Sequence, residues 1–176
     1  MGRVVQGRAL PVEAARLCEA LGAPLALVEH LERVHEAAVK ITEGLGSRFP
    51  ALAVDVEAVR LGAAIHDLGK ARHLGELTGP GERHEIDGPA MLEAEGLAPS
   101  IARFARTHAR WSEPGTAIED RLVAWADKLW KGRRDEALEA ALAEEVAAAT
   151  GEPPWAVFAA LDDVAQAASG QVAERV

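Results

Sequence analysis

Apolar residues recur along this chain at spacings of three and four, the signature of helices buried on one side. The longest such stripe is Leu27, Leu31, Val34, Ala38, Ile41 and Leu45. Pro24 opens it, and Gly44, Gly46 and Pro50 are expected to close it. A shorter helix is predicted from Pro11 to Leu21, stopped by Gly22. Asp55 is a natural N-cap for a helix running to about His66. Residues 69–84 hold four glycines and one proline and read as a loop. Further helices are predicted over about 85–95, 99–109, 119–130, 135–149 and 154–168. Strand-like alternation is absent. The expected fold is all-α, an irregular single-domain helical bundle of about seven to eight helices spanning 1–176.

Composition supports that picture. With 49% hydrophobic residues in 176, the chain can bury one sizeable core without staples. Cys18 is the only cysteine, so an intramolecular disulfide is excluded, and a small core residue is the plain reading. One thiol and no signal peptide point to a reducing, cytoplasmic setting. No apolar run is long enough to cross a bilayer. A net charge of −9 argues against broad nucleic-acid binding. It does not argue against a small phosphorylated substrate, because a bound metal brings positive charge of its own.

Several inward stripes carry residues that do not belong in a core. His30 lies between Leu27 and Val34, and His66 follows Val59, Gly62 and Ala63. His108 follows Ile101, Phe104 and Ala105, and Asp127 falls between Val123 and Trp130. A single inward histidine is usually a hydrogen-bonded core residue, and a single inward aspartate usually caps a helix or meets an arginine. Four such groups on four helices are explained together by one shared partner. A metal ion suits imidazole and carboxylate best. Asp67 adds a constraint, since helical neighbours point about 100° apart. His66 and Asp67 reach one ion only from a helix end, and Gly69 permits such an end.

These residues carry a family resemblance over roughly residues 24–134. The order His30, His66-Asp67, Asp127 resembles the H…HD…D pattern of HD-domain metal-dependent phosphohydrolases. His30-Leu31-Glu32-Arg33-Val34 is similar to the family's first-helix motif, H-x-x-R-V. Ala64-Ile65-His66-Asp67-Leu68-Gly69-Lys70 is similar to its central motif, and Ala126-Asp127-Lys128-Leu129 to its late A-D-K-L motif. His84 and His108 lie where two-metal members carry extra histidines, as in the HD-GYP phosphodiesterases and the HD-type diadenosine tetraphosphate hydrolases. The Gly-Tyr-Pro signature of the former is missing, as the chain contains no tyrosine. The resemblance implies that His30, His66, Asp67 and Asp127 hold one metal, and that Asp67 bridges to a second held by His84 and His108. Mn, Fe, Zn, Co or Ni would suit these ligands, and Mg, which prefers oxygen, fits less well. The implied reaction is hydrolysis of a phosphate ester or anhydride of a nucleotide-like molecule. An HD-type dinucleoside tetraphosphate hydrolase and a metal-stabilised nucleotide-binding domain without turnover are the alternatives.

The remaining assignments follow from position. His35 borders the same stripe as His30, and the motif spacing favours His30 as ligand, with His35 behind it or packed between helices. His73, in the loop, reads as solvated. Lys70 and Lys128 lie inside the motifs and are expected to bind substrate phosphate, Lys70 also acting with Asp67 in catalysis. Arg133 and Arg134 read as charge complementing a helix C-terminus. Trp125 and Trp130 are expected in the core, and Trp111 is the candidate pocket wall. Glu85 is a supporting carboxylate or proton donor beside His84, or simply an acidic first-turn residue. The Ala-rich helices over 135–170 either cap the bundle or form a homodimer surface.

Overall fold

A computed structural model describes residues 9–169. The ends of the expected domain, 1–8 and 170–176, lie outside the described residues. The described residues contain no strand. They form α1 (Val12–Ala20), α2 (Leu25–Arg48), α3 (Val56–Ile65), α4 (Arg83–Ala94), α5 (Pro99–Ala102), α6 (Phe104–Thr107), α7 (Ile118–Leu129), α8 (Glu136–Thr150) and α9 (Pro154–Ala168). Only Arg103 separates α5 from α6, so these single turns form one bent arm where one helix over 99–109 was expected. The region read as a loop also holds two 3-10 turns, Leu68–Ala71 and Leu74–Leu77.

The spine is α2, 24 residues long and so about 36 Å. Its stripe of Leu27, Leu31, Val34, Ala38, Ile41 and Leu45 is buried against α3, α7 and α9. Of the residues expected to close it, Gly44 and Gly46 lie inside the helix, which runs to Arg48, just before Pro50. The reason lies in packing. A Cβ on Gly44 would come within 2.9 Å of Val164 Cγ2 on α9. The bare backbone lets α9 seat closely, and that burial outweighs a helix-propensity cost of about 1 kcal/mol. Asp55 caps α3 as expected, accepting from Ala58 N at 3.0 Å.

Two buried carboxylates lock the frame around the site. Asp120 lies in the first turn of α7 and takes hydrogen bonds from Thr107 Oγ1 at 2.5 Å and Arg103 Nε at 3.1 Å. It thereby ties the α5–α6 arm to α7. Glu139 on α8 accepts from Trp125 Nε1 at 3.1 Å and Arg134 Nε at 2.7 Å. That joins α7 to α8 through a fully buried Trp125. Helices α8 and α9 pack on each other, on α7 and, through α9, on α2. The outer face of α9 leaves Trp155 and Phe158 exposed. No helix among the described residues is long and apolar enough to cross a membrane.

Candidate metal centre

The core places five polar side chains from separate helices around Asp67. His30 comes from α2, His66 caps the C-terminus of α3, and Asp67 follows it in a sharp change to a 3-10 turn. That turn abuts α4, and a Cβ on Gly69 would meet the His84 carbonyl oxygen at 2.3 Å. Only glycine lets the Asp67 turn and the His84 turn approach this closely. His84 sits in the first turn of α4, His108 caps α6, and Asp127 lies late in α7.

The two oxygens of Asp67 face different histidines. Oδ2 lies 3.0 Å from His30 Nε2 and 3.5 Å from His66 Nε2. Asp127 Oδ1 closes that side, 3.6 Å from each of the same two nitrogens. Oδ1 of Asp67 lies 3.3 Å from His84 Nε2 and 3.4 Å from His108 Nε2. His30, His66 and Asp67 form one group with ligand atoms within 4.8 Å of one another, and Asp67, His84 and His108 form another.

The nitrogens face inward because the other ring nitrogen is occupied. His66 Nδ1 donates to Ala63 O at 2.8 Å, and His108 Nδ1 to Phe104 O at 2.9 Å. His84 Nδ1 faces a Glu76 carboxylate oxygen at 2.5 Å. Each Nε2 is thereby turned toward Asp67, where a metal ion would meet it. His30 Nε2, His66 Nε2 and Asp67 Oδ1 are buried and have no hydrogen-bond partner. The 3.0 Å approach of His30 to Asp67 is therefore one of distance, not of hydrogen-bond direction. Leaving such atoms unmatched costs about 1–3 kcal/mol each. Imidazole nitrogens and carboxylate oxygens converging in this way match the ligand set of a divalent transition metal.

The field is equally divided. Burial would raise Asp67, but His66, His30 and His84 hold it well below the usual carboxylate range. Asp127 is likewise held down against burial, by His66 and then Lys131. His66 is driven downward by burial, yet Asp67 and Asp127 outweigh that and push it up to about 10. His108, buried and next to His66, falls to about 4.

The HD domain family model matches residues 27–130, more than half of the chain. The chain belongs to the HD-domain family. This is the superfamily of metal-dependent phosphohydrolases, whose members bind divalent metal ions. No curated protein and no solved structure is significantly similar to the chain.

Within this HD domain, His30, His66, Asp67, His84, His108 and Asp127 are brought together. His35 is not. It lines a separate cleft of about 410 Å³ with Arg60, Glu57 and Ile101, on another face of α2. Lys70 Nζ lies 2.6 Å from Asp67 Oδ2, inside the cluster. Lys128 is turned away and pairs with Asp135 at 3.2 Å. The lysine beside the cluster is Lys131, 3.0 Å from Asp127 Oδ1. One helical turn separates it from Asp127, so it shares that face, whereas Lys128 is rotated about 100°. Glu85 lies 3.7 Å from His84 Nε2, with its carboxyl raised by burial. His73 pairs with Asp87 at 2.8 Å. Arg134, read as helix-end charge, instead bridges Glu139 and Asp162.

Trp130, expected in the core, and Trp111, the candidate pocket wall, are both half-buried and packed against the core. The Trp130 ring stands edge-on to His30 at 5.2 Å, with Arg33 and Lys131 each 5.6 Å from its centroid. The Trp111 carbonyl accepts from Thr116. The residue that sequence reasoning missed is Glu76. It lay in the presumed loop, where a carboxylate between glycines gives no periodic signal.

Proposed function

We propose that this HD domain is a phosphohydrolase that uses two divalent transition metal ions, sharing Asp67, to cleave a phosphate ester or anhydride of a small nucleotide-like molecule. One observation carries this reading: each carboxylate oxygen of Asp67 faces its own pair of histidine Nε2 atoms. His30, His66, Asp67 and Asp127 would hold one ion, and Asp67, His84 and His108 the other. Mn, Fe, Zn, Co or Ni fit this mixed nitrogen and oxygen set. Bound there, such ions supply Lewis acidity toward phosphoryl oxygens and make water acidic enough to attack at neutral pH.

The chain's own groups do the rest. Lys70, held at Asp67, presents an ammonium to a phosphate entering the site. Lys131 and Arg33 extend that positive edge past Trp130, in a protein of net charge −9. Glu85 is the carboxyl beside the cluster whose burial favours holding a proton, at the side where His84 lies. His66, Asp67, His84 and His108 are buried, which limits bulk water at the cluster.

The test is a metal assay of the purified protein, followed by a panel of phosphomonoesters, cyclic nucleotides and symmetrical dinucleoside polyphosphates with added Mn. Turnover that follows metal content is expected. Preference for the symmetrical dinucleotides would narrow the substrate to that class. Metal retained with no turnover on the panel would leave a metal-stabilised binding domain instead. Protein that binds no divalent metal at all would end both readings.

A further inference from the structure

The histidines of the cluster are not oriented by the same kind of partner. His66 and His108 lean on carbonyls of their own helical turns, Ala63 O and Phe104 O. Those acceptors come with the helix and cannot be withdrawn without unfolding it. Of these three histidines, His84 leans on a side chain from another element, Glu76 of the Leu74–Leu77 turn.

That carboxylate has a second task. Oε1 accepts from Arg83 N at 3.0 Å, and Oε2 accepts from His84 N at 3.1 Å as well as facing His84 Nδ1. The acceptor that caps α4 therefore also fixes the imidazole in its first turn. The loop closes tightly over it, since a Cβ on Gly81 would come 2.4 Å from Glu76 Oε1. An anion on Nδ1 makes Nε2 a stronger donor to a metal than a neutral carbonyl does. Among the described residues, Glu76 makes these contacts to Arg83 and His84 and none to His30, His66 or Asp127.

We propose that Glu76 is a positioning residue that sets the metal affinity of the half-site made by His84, His108 and Asp67 Oδ1, and leaves the His30, His66 and Asp127 half-site alone. The inference rests on the two-metal reading above. It makes the 3-10 turn, which lies outside the family's motifs, the element that decides whether the centre holds one ion or two.

The experiment is a Mn titration of the chelator-stripped full-length protein, wild type against Glu76→Gln, by calorimetry with stoichiometry checked by elemental analysis. Glutamine keeps the shape and one acceptor oxygen for the α4 cap but removes the charge on His84. The wild type is expected to take two ions. In Glu76→Gln the first affinity should be unchanged and the second weaker by about 10–100-fold, with a melting temperature lowered less than in Glu76→Ala. Glu76→Ala, which also loses the cap, should weaken the second step at least as much. Equal weakening of both steps would mean a general structural role and would overturn the inference. So would an unchanged second step in Glu76→Gln with two ions in the wild type. A wild type that binds a single ion would remove the two-metal reading itself, a different and distinguishable failure.

Discussion

Asp67 Oδ2 faces His30 of α2, His66 at the end of α3 and Lys70 of the following 3-10 turn, with Asp127 of α7 behind the two histidines, whereas Asp67 Oδ1 faces groups from the first turn of α4 and the cap of the short α6. The first half-site thus inherits its histidines and Asp127 from the ends and faces of long buried helices. The second depends on a 3-10 turn, a glycine contact at Gly69 and one borrowed carboxylate. Ligands set by core packing are hard to move without unfolding. Ligands set by a loop are open to adjustment at small cost to stability. The difference predicts a strong, early-filling ion and a weaker, tunable one.

The largest effect should come from the group both halves share. Asp67→Asn is expected to abolish binding of both ions and to lower turnover roughly a thousandfold or more, since several kcal/mol of metal stabilisation go with it. Metal analysis of the purified variant and a Mn-supplemented phosphoesterase assay would show this. Retention of one tightly bound ion would break the symmetry argument by making Asp67 a ligand to one side only.

Single-histidine variants divide the halves. His30→Ala should lose the first ion and keep the second, whose ligands it leaves in place. His84→Ala should lose the second and keep the first. His35→Ala should keep both, since His35 lines the cleft with Arg60 and not the cluster. Elemental analysis after dialysis separates these outcomes. Loss of metal from His35→Ala alone would reverse the ligand assignment on α2.

The halves also differ in their protons, which gives a pH signature in the chelator-stripped protein. His66, pushed up to about 10 from 6.5, binds more protons folded than unfolded between those values, so stability falls as pH rises through that window. His108, pulled to about 4 from 6.5, binds fewer protons folded than unfolded over that range, so stability rises as pH climbs toward 6.5. Urea midpoints should peak near pH 6.5, with limbs on the order of 1 kcal/mol per pH unit. Metal should flatten the alkaline limb, because an ion on His66 replaces its proton. An alkaline limb unchanged by metal would place the first ion elsewhere.

Periodicity made the helix-built half legible and left the loop-built half partly hidden. His30, His66 and Asp127 stand out because an ionisable group interrupts an apolar stripe, and the stripe fixes its direction. Asp67 and Gly69 follow from the helix end that neighbouring ligands require. Glu76 had no stripe to interrupt, and its role depends on a fold-back over Gly81 that no local pattern encodes. Trp130, expected in the core, is only half-buried for a related reason: it sits at the end of α7, where a face extrapolated from the helix interior loses its reference. Gly44 misled in the opposite direction, because a residue that usually ends helices here admits a neighbouring one.

Lys131 and Lys128 give the smallest and most discriminating comparison. Lys131 touches Asp127 at the first half-site but is about one-third exposed, so solvent screens much of its field. Lys131→Ala is expected to raise KM by roughly twofold to fivefold with kcat nearly unchanged, the mark of a contact made equally to bound substrate and transition state. Its loss should leave the second ion's affinity as it was. Lys128 pairs with Asp135 away from the cluster, so Lys128→Ala should leave KM and metal binding unaltered. It should cost about 0–1 kcal/mol of stability, as surface pairs do. Steady-state kinetics on one substrate, run in parallel for the two variants, is sufficient. A larger KM effect at Lys128 would restore the motif-based assignment and would mean that α7 turns its 128 side to the substrate when the site is filled.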